Sequence, residues 1–115
     1  MVSANKMVLE DNSTPAVVFG CFGHHGLGVT RSLGRLGVQV YCVDKNRFTP
    51  SFLSRYCRGK FLWDLHRAST EEMVSFLMEV GRKIGRRSVL IPTSDIGTMF
   101  VADQKRVLRV EWQPI

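Results

Sequence analysis

AVVFGCFGHHGLGVTRSLGRLG, residues 16–37, passes from an apolar run through a glycine-rich stretch into a helical pattern. The apolar run predicts a strand over residues 16–20 that is buried on both faces, as in a parallel sheet. A helix is predicted over residues 27–36, and Gly37 is expected to end it. Glycines at positions 20, 23, 26 and 28 would let a ligand approach the backbone closely. Because the free amides of a helix N-terminus attract anions, this unit is typical of a nucleotide- or carboxylate-binding fold.

The rest of the chain continues the alternation of strands and helices. Strands are predicted at residues 38–43, 60–63 and 88–91, and residues 45–59 are expected to be irregular, with at most a short helical turn. A capping box of Ser69 and Glu72 opens a helix that is predicted to end at Ile84. A third helix should begin at Thr93-Ser94-Asp95, fade near residue 109, and bury Ile96, Met99 or Phe100, and Val107.

This order of elements predicts an α/β fold with one parallel sheet. Crossover connections between parallel strands are right-handed, so we expect a half-Rossmann-like sheet of about four strands in the order 3-2-1-4, with helices on both faces. The domain should cover residues 15–110, after a flexible leader of residues 1–14. Residues 111–115 are expected to be a tail with no partner element in this chain.

Charge and cysteine content favour a cytoplasmic protein that binds neither nucleic acid nor membrane. The net charge is +6, but the basic residues are scattered, whereas a nucleic-acid interface needs them clustered on one face. No apolar run approaches the ~20 residues that span a bilayer. The three cysteines, at positions 21, 42 and 57, have no C-x-x-C spacing, which favours reduced thiols over a disulfide scaffold.

The glycine-rich stretch is a broken dinucleotide-binding fingerprint. The pattern G-x-G-x-x-G fails after Gly20, because Phe22 occupies the position of the second glycine. Asp44, however, ends the predicted second strand, where a ribose-binding acid would lie. Gly20 and Asp44 are therefore candidate cofactor-binding residues. The alternative interpretation is that Gly20 only makes a tight turn and that Asp44 caps a loop.

His24 and His25 lie in the same stretch, close to Cys21. A zinc site or a Cys/His nucleophilic pair would need a third ligand or an orienting acid, and none stands at a recognisable spacing. We therefore predict neither a metal site nor a catalytic residue. His24 is expected to hydrogen-bond a ligand or to face water.

Ser94 and Asp95 precede the third predicted helix. Capping of that helix is the simpler interpretation, and the same amides and hydroxyl could also hold a carboxylate or a phosphate. Arg31 belongs to the polar face of the first helix, near enough to the glycine-rich stretch to help hold an anion. In the order 3-2-1-4 the first and fourth strands diverge, so their carboxyl ends are expected to form one ligand-binding crevice.

Three motifs accompany the glycine-rich stretch. They are Arg31-Ser32-Leu33-Gly34-Arg35-Leu36-Gly37-Val38, Ser54-Arg55-Tyr56 and Leu90-Ile91-Pro92-Thr93-Ser94-Asp95. Together with that stretch they closely resemble the N-terminal (pre-ATP-grasp) domain of ATP-grasp carboxylate–amine ligases. The similarity covers about residues 15–109 and is nearest to a poorly characterised branch with an RSLGR-GxxV helix and a PTSD strand end.

The resemblance implies a role on the substrate side of a larger enzyme. In such ligases two later domains hold ATP and Mg²⁺ and activate a carboxylate as an acyl phosphate, which an amine then attacks. By this resemblance the chain is a fragment that ends where the next domain should begin, and it would not be catalytic by itself. The residues expected to bind the small carboxylate substrate are Gly23, His24, Gly26, Arg31, Ser94 and Asp95.

Two alternatives remain. The chain could be a stand-alone Rossmann-type module that binds NAD or another nucleotide through Gly20 and Asp44. It could also be a structural domain that forms homo-oligomers through uncovered sheet edges and apolar faces.

Overall fold

A parallel sheet of five strands forms the centre of the fold, in the order β3-β2-β1-β4-β5. The computed structural model describes residues 13–21, 23–108 and 112–113, so most of the predicted leader lies outside the described residues. The predicted α/β fold and the order 3-2-1-4 of the first four strands are confirmed. The strands are β1 (Ala16–Phe19), β2 (Val40–Asp44), β3 (Cys57–Leu62), β4 (Ser88–Pro92) and β5 (Trp112–Gln113). The helices are α1 (Gly23–Arg35), α2 (Pro50–Leu53), α3 (Thr70–Ile84), α4 (Asp95–Asp103) and α5 (Lys105–Leu108).

The central strand β1 separates two apolar cores, because successive side chains of a strand point to opposite faces. Val17 and Phe19 belong to the core formed with α3, α4 and α5. Val18 belongs to the core formed with α1 and α2. Every residue of β1 is buried, which explains its unbroken apolar sequence, and the helices cover both faces as predicted.

Local sequence signals place the ends of α3. Ser69 Oγ accepts the Glu72 amide at 3.2 Å, and the Ser69 amide donates to Glu72 Oε1 at 2.9 Å. Gly85 ends the helix in the left-handed region, with φ +77°. The predicted capping box and helix stop are both confirmed.

The end of α1 is a Schellman motif. Gly37 has φ +84°, and its amide donates to the Gly34 carbonyl at 3.0 Å. The Val38 amide reaches back to the Leu33 carbonyl at 3.1 Å, and both side chains pack in the same core. This pair of hydrogen bonds confirms Gly37 as the stop signal of the first helix.

The third predicted helix is interrupted, and most of the residues that were expected to be buried on it are exposed. It divides at Gln104 into α4 and α5. Ile96, Met99 and Val107 are 45%, 67% and 46% exposed, whereas Phe100 is buried as one of the predicted options. The buried face of α4 is formed by Phe100 and Gly97. Gly97 has no side chain, so it adds nothing to the apolar periodicity from which the buried face was predicted.

Two predictions about strands are also corrected. β3 begins at Cys57, inside the segment that was expected to be irregular, and α2 supplies the short helical turn. The tail is not without a partner, because Trp112 and Gln113 pair with Ser88 and Val89 of β4. The Trp112 side chain is buried in the core beneath α3 and α5, which favours docking of this segment.

Candidate functional site

Backbone hydrogen bonds tie the carboxyl ends of β1, β2 and β4 into one edge. Phe19, the last residue of β1, lies opposite Val43 on one side and Pro92 on the other. The Gly20 amide donates to the Val43 carbonyl at 2.9 Å, and Thr93 Oγ1 donates to the Gly20 carbonyl at 2.6 Å. The strand order reverses between β1 and β4 at this edge, which is where open α/β sheets bind ligands.

A cavity of about 160 Å³ lies at this edge, lined by Gly20, Asp44, Lys45, Leu65, His66 and Ser94. Gly20 has φ +77°, a conformation that residues with a side chain rarely adopt. A Cβ at this position would lie 3.4 Å from Ser94 Oγ and 3.5 Å from Leu65. Glycine at the end of β1 therefore leaves room between β1 and the start of α4.

Ser94 is the N-cap of α4, as its sequence predicts. Its Oγ accepts the Gly97 amide at 3.1 Å, which leaves the hydroxyl proton able to donate to a ligand. A Cβ at Gly97 would lie 3.3 Å from the ring of Phe19, so glycine lets this helix N-terminus approach β1 closely. Asp95 is exposed in the first turn of α4 and does not line the cavity.

Asp44 contributes a buried carboxylate to the cavity. It is the last residue of β2 and only 4% exposed, and its carbonyl accepts the Trp63 amide at 2.9 Å. Its Oδ2 is buried and has no hydrogen-bond partner among the described residues. Burying a charged oxygen without a partner is costly, so this atom marks a position where a donor is expected.

Lys45 and the turn at Leu65 and His66 complete the lining. The Asp64 carboxylate accepts the His66 amide at 3.0 Å and forms an ion pair with Arg67 at 3.7 Å, which shapes this turn. The Lys45 and His66 side chains are exposed, whereas Leu65 is 9% exposed. No motif marks these three residues. Their positions directly after β2 and β3 are the signal that could have found them.

The glycine-rich stretch is helical rather than a loop, which corrects the predicted start of the first helix. α1 begins at Gly23, so Gly26 lies within its first turns. A Cβ at Gly26 would lie 2.3 Å from the Cys21 carbonyl oxygen. This glycine is therefore needed for packing of the helix on the preceding turn, whereas a Cβ at Gly28 would meet open space.

Three predicted substrate residues of α1 do not line the cavity, namely His24, Gly26 and Arg31. His24 and His25 line a separate open groove of about 540 Å³ beside Ile91 of β4. Ile91 lies opposite Val18, which belongs to the α1 core, so this groove is on the other face of the sheet. Arg31 is exposed on α1. The structure thus brings together Gly20, Asp44 and Ser94, and leaves apart His24, Gly26, Arg31 and Asp95.

Two of the sequence motifs, those that contain Gly34 and Tyr56, meet in a structural contact. A Cβ at Gly34 would lie 2.3 Å from the ring of Tyr56, so the ring packs directly on α1. The Arg55 guanidinium donates to Tyr56 Oη at 2.8 Å and lies 4.8 Å from the ring centroid. This hydrogen bond lowers the pKa of Tyr56. The motif residues Gly34 and Tyr56 therefore have a packing role away from the cavity.

The cysteines are unpaired thiols, with Cys21 and Cys42 buried. The neighbouring Cys21 thiol and burial raise the pKa of Cys42 to about 12. The Cys42 thiol and burial likewise raise the pKa of Cys57. Protonated thiols are poor nucleophiles. Within residues 13–21, 23–108 and 112–113, no group of three or more His, Cys, Asp or Glu side chains could hold a metal ion.

Comparisons with protein-family models, curated proteins and solved structures give no match for this chain. No helix in the described part of the chain is both long and apolar enough to cross a membrane. The functional interpretation therefore depends on the chemistry of the cavity and on the motifs of the sequence.

Proposed function

We propose that this chain is the substrate-side N-terminal domain of an ATP-grasp carboxylate–amine ligase and binds a small carboxylate at the cavity beyond β1, β2 and β4. The observation that best supports this proposal is the position of the cavity, at the reversal of strand order and against the N-terminus of α4. The domain contributes substrate binding. ATP and Mg²⁺ would be held by other domains of the full-length enzyme, where they supply the energy and charge neutralisation for carboxylate activation.

The wall of the cavity around Ser94 favours a carboxylate. The first amides of α4 have no carbonyl partner within the helix, and the helix dipole adds partial positive charge at this end. Ser94 can donate its hydroxyl proton, and Lys45 and His66 border the same space. Together these groups can hold the two oxygens of a carboxylate by hydrogen bonds and charge.

The size of the cavity favours a small ligand. Its volume of about 160 Å³ is below the range of roughly 300–1,000 Å³ that encloses drug-sized ligands. Only a few non-hydrogen atoms fit inside, so a nucleotide would lie mostly outside it. A ligand with the size of a three-carbon acid fits this space, which both Asp44 and Ser94 line.

A nucleotide-binding module is the second candidate, and one observation favours it. Gly20 and Asp44 lie together at the ends of adjacent strands, where a Rossmann fold has its first glycine and its ribose-binding acid. NAD would then extend out of the cavity along the sheet edge.

The unpaired thiols support a cytoplasmic location under either proposal.

Two-dimensional ¹H–¹⁵N NMR titrations of the ¹⁵N-labelled chain test the proposal. The probes are propionate, lactate, L-alanine and, separately, NAD. We expect at least one of the three carboxylates to give saturable shifts at the amides of Gly20, Lys45, His66 and Gly97, and NAD to give none.

Charge removal provides the matched control. Lys45→Gln should weaken carboxylate binding, whereas Lys83→Gln, on the exposed surface of α3, should leave it unchanged. If no carboxylate shifts the cavity amides, the proposed function is wrong. Saturable NAD shifts at the same amides would favour the nucleotide-binding module instead.

A further inference from the structure

The Asp44 carboxylate has a property that a carboxylate-binding cavity does not explain. An ionised carboxylate only accepts hydrogen bonds, and buried polar atoms of folded proteins nearly always have a partner. Asp44 Oδ2 is buried and has none among the described residues, although the side chain is more than nine-tenths buried. Asp44 also lines the cavity, so a ligand in that space would lie beside this side chain.

The side chains described by the structure do not supply that donor. The ion pairs of Asp64 with Arg67 and of Glu79 with Lys83 do not include Asp44, and no described side chain is a hydrogen-bond partner of its Oδ2. Lys45 and His66 border the cavity with exposed side chains and form no hydrogen bond or ion pair with this carboxylate. The donor that satisfies Asp44 is therefore expected on the ligand.

Asp44 also restricts which carboxylates can enter. Any carboxylate brings a second negative charge into this small space, where like charges repel strongly, and a ligand group that donates a hydrogen bond to Asp44 offsets part of that cost. Asp44 lines the cavity with hydrogen-bond acceptors, whereas Ser94 and Lys45 line it with hydrogen-bond donors. A ligand that carries both a donor and a carboxylate matches both kinds of group at once.

We infer that the ligand of this cavity is a small hydroxy acid or amino acid, whose hydroxyl or ammonium group donates to Asp44 while its carboxylate binds at the N-terminus of α4. This inference rests on the proposed function and goes beyond it by naming the second functional group of the substrate. The hydroxyl and the ammonium share the chemistry that Asp44 recognises. Their relative affinities distinguish the two classes.

The test compares three acids with the same carbon skeleton. Lactate and L-alanine carry a donor on the second carbon, and propionate has hydrogen there. Dissociation constants are measured from the NMR shifts at Gly20 and Gly97. We expect lactate or alanine to bind at least about tenfold more tightly than propionate, as for a hydrogen bond to a charged group.

Substitution of Asp44 identifies the group that makes this distinction. In Asp44→Ala, which removes both carboxylate oxygens, the advantage over propionate should fall below about twofold. Asp44→Asn keeps one accepting oxygen. In this variant the affinity advantage of alanine over propionate should fall more than the affinity advantage of lactate over propionate. Asp103→Asn, at the exposed end of α4, is the control and should keep the wild-type ratio.

Each outcome decides the inference. If propionate binds the wild-type cavity as tightly as lactate and alanine, the inference is wrong while the proposed carboxylate site stands. If none of the three acids shifts the cavity amides, the proposed function fails and the inference fails with it. An advantage of lactate or alanine that survives in Asp44→Ala also overturns the inference, because another group then provides the recognition.

Discussion

Asp44→Asn should stabilise the unliganded protein, an unusual result for a buried residue. The wild-type side chain is 4% exposed, and its Oδ2 has no partner among the described residues. A buried polar atom without a partner costs about 1–3 kcal/mol, and more when it is charged. Asparagine has nearly the same shape and removes the charge, but still buries an amide. We therefore expect the free energy of unfolding to rise by about 1–2 kcal/mol.

Urea unfolding at pH 7 measures this change. With an m-value of about 2 kcal/mol/M, the middle of the usual range, the midpoint should move up by roughly 0.5–1 M urea at an unchanged slope. Addition of the preferred acid, lactate or L-alanine, should reverse the order of stabilities. Binding stabilises the wild-type protein in proportion to the logarithm of ligand concentration, and the variant gains less because it binds more weakly.

A loss of stability in Asp44→Asn would refute this reasoning. It would show that the carboxylate already has a stabilising partner in the unliganded protein and that Asp44 has a structural role. Asp103→Asn is the control for the chemical change itself. Its side chain is exposed, so its effect should stay within about 0.5 kcal/mol.

Three further substitutions or labelling experiments test the remaining structural assignments. Gly26→Ala should destabilise the protein by about 1–3 kcal/mol, because its Cβ would meet backbone at 2.3 Å. Gly28→Ala, two residues later in open space, should stabilise α1 by up to about 1 kcal/mol. Thermal unfolding distinguishes the two variants. The amide of Ser69 lowers the pKa of Glu72. The stability from this contact is therefore full above the ordinary glutamate pKa of ~4.3 and is lost as the pH falls through the lowered value. The difference in melting temperature between wild type and Glu72→Gln should shrink between pH 7 and pH 2. Cys42, whose pKa is raised to about 12, should resist iodoacetamide at pH 8 in the native protein and react after unfolding, as mass spectrometry of the peptides would show.

The fold was predictable from sequence where the signals are local and strong. The apolar run of β1 is buried in the middle of the sheet, and the capping box at Ser69 opens α3. The strand order followed from right-handed crossovers, which depend on the order of elements rather than on side-chain contacts. Docking of Trp112 as a fifth strand was not predictable, because a two-residue strand has no periodicity and its burial depends on a core assembled from distant segments.

Glycines account for two errors in the predicted helices. Gly97 occupies a buried position of α4 and lets the helix approach Phe19, so the apolar pattern pointed to Ile96 and Met99 instead. In α1 the apolar pattern begins only at Leu27, although the glycine- and histidine-rich residues before it are already helical. In both places a glycine serves close packing, which hydrophobic periodicity does not detect.

The candidate site was predictable to the extent that strand ends define it. Gly20, Asp44 and Ser94 each follow or end a strand that belongs to the central part of the sheet, and the topology brings them together. Leu65 and His66 reach the same cavity through a turn whose path depends on the Asp64 side chain, so no spacing in the sequence indicates them.

The position of Asp44 explains why a carboxylate there points to function. β2 lies between β1 and β3, so the end of this strand is covered on both sides, and Asp44 is buried like Val40, Cys42 and Val43 of the same strand. A hydrophobic or amide side chain would be more stable at this position in the absence of a ligand. Local departures from stable packing are expected at binding sites, where the missing partner is supplied by the ligand. A gain in stability on Asp44→Asn together with a loss of binding would show that this carboxylate serves recognition at the expense of stability.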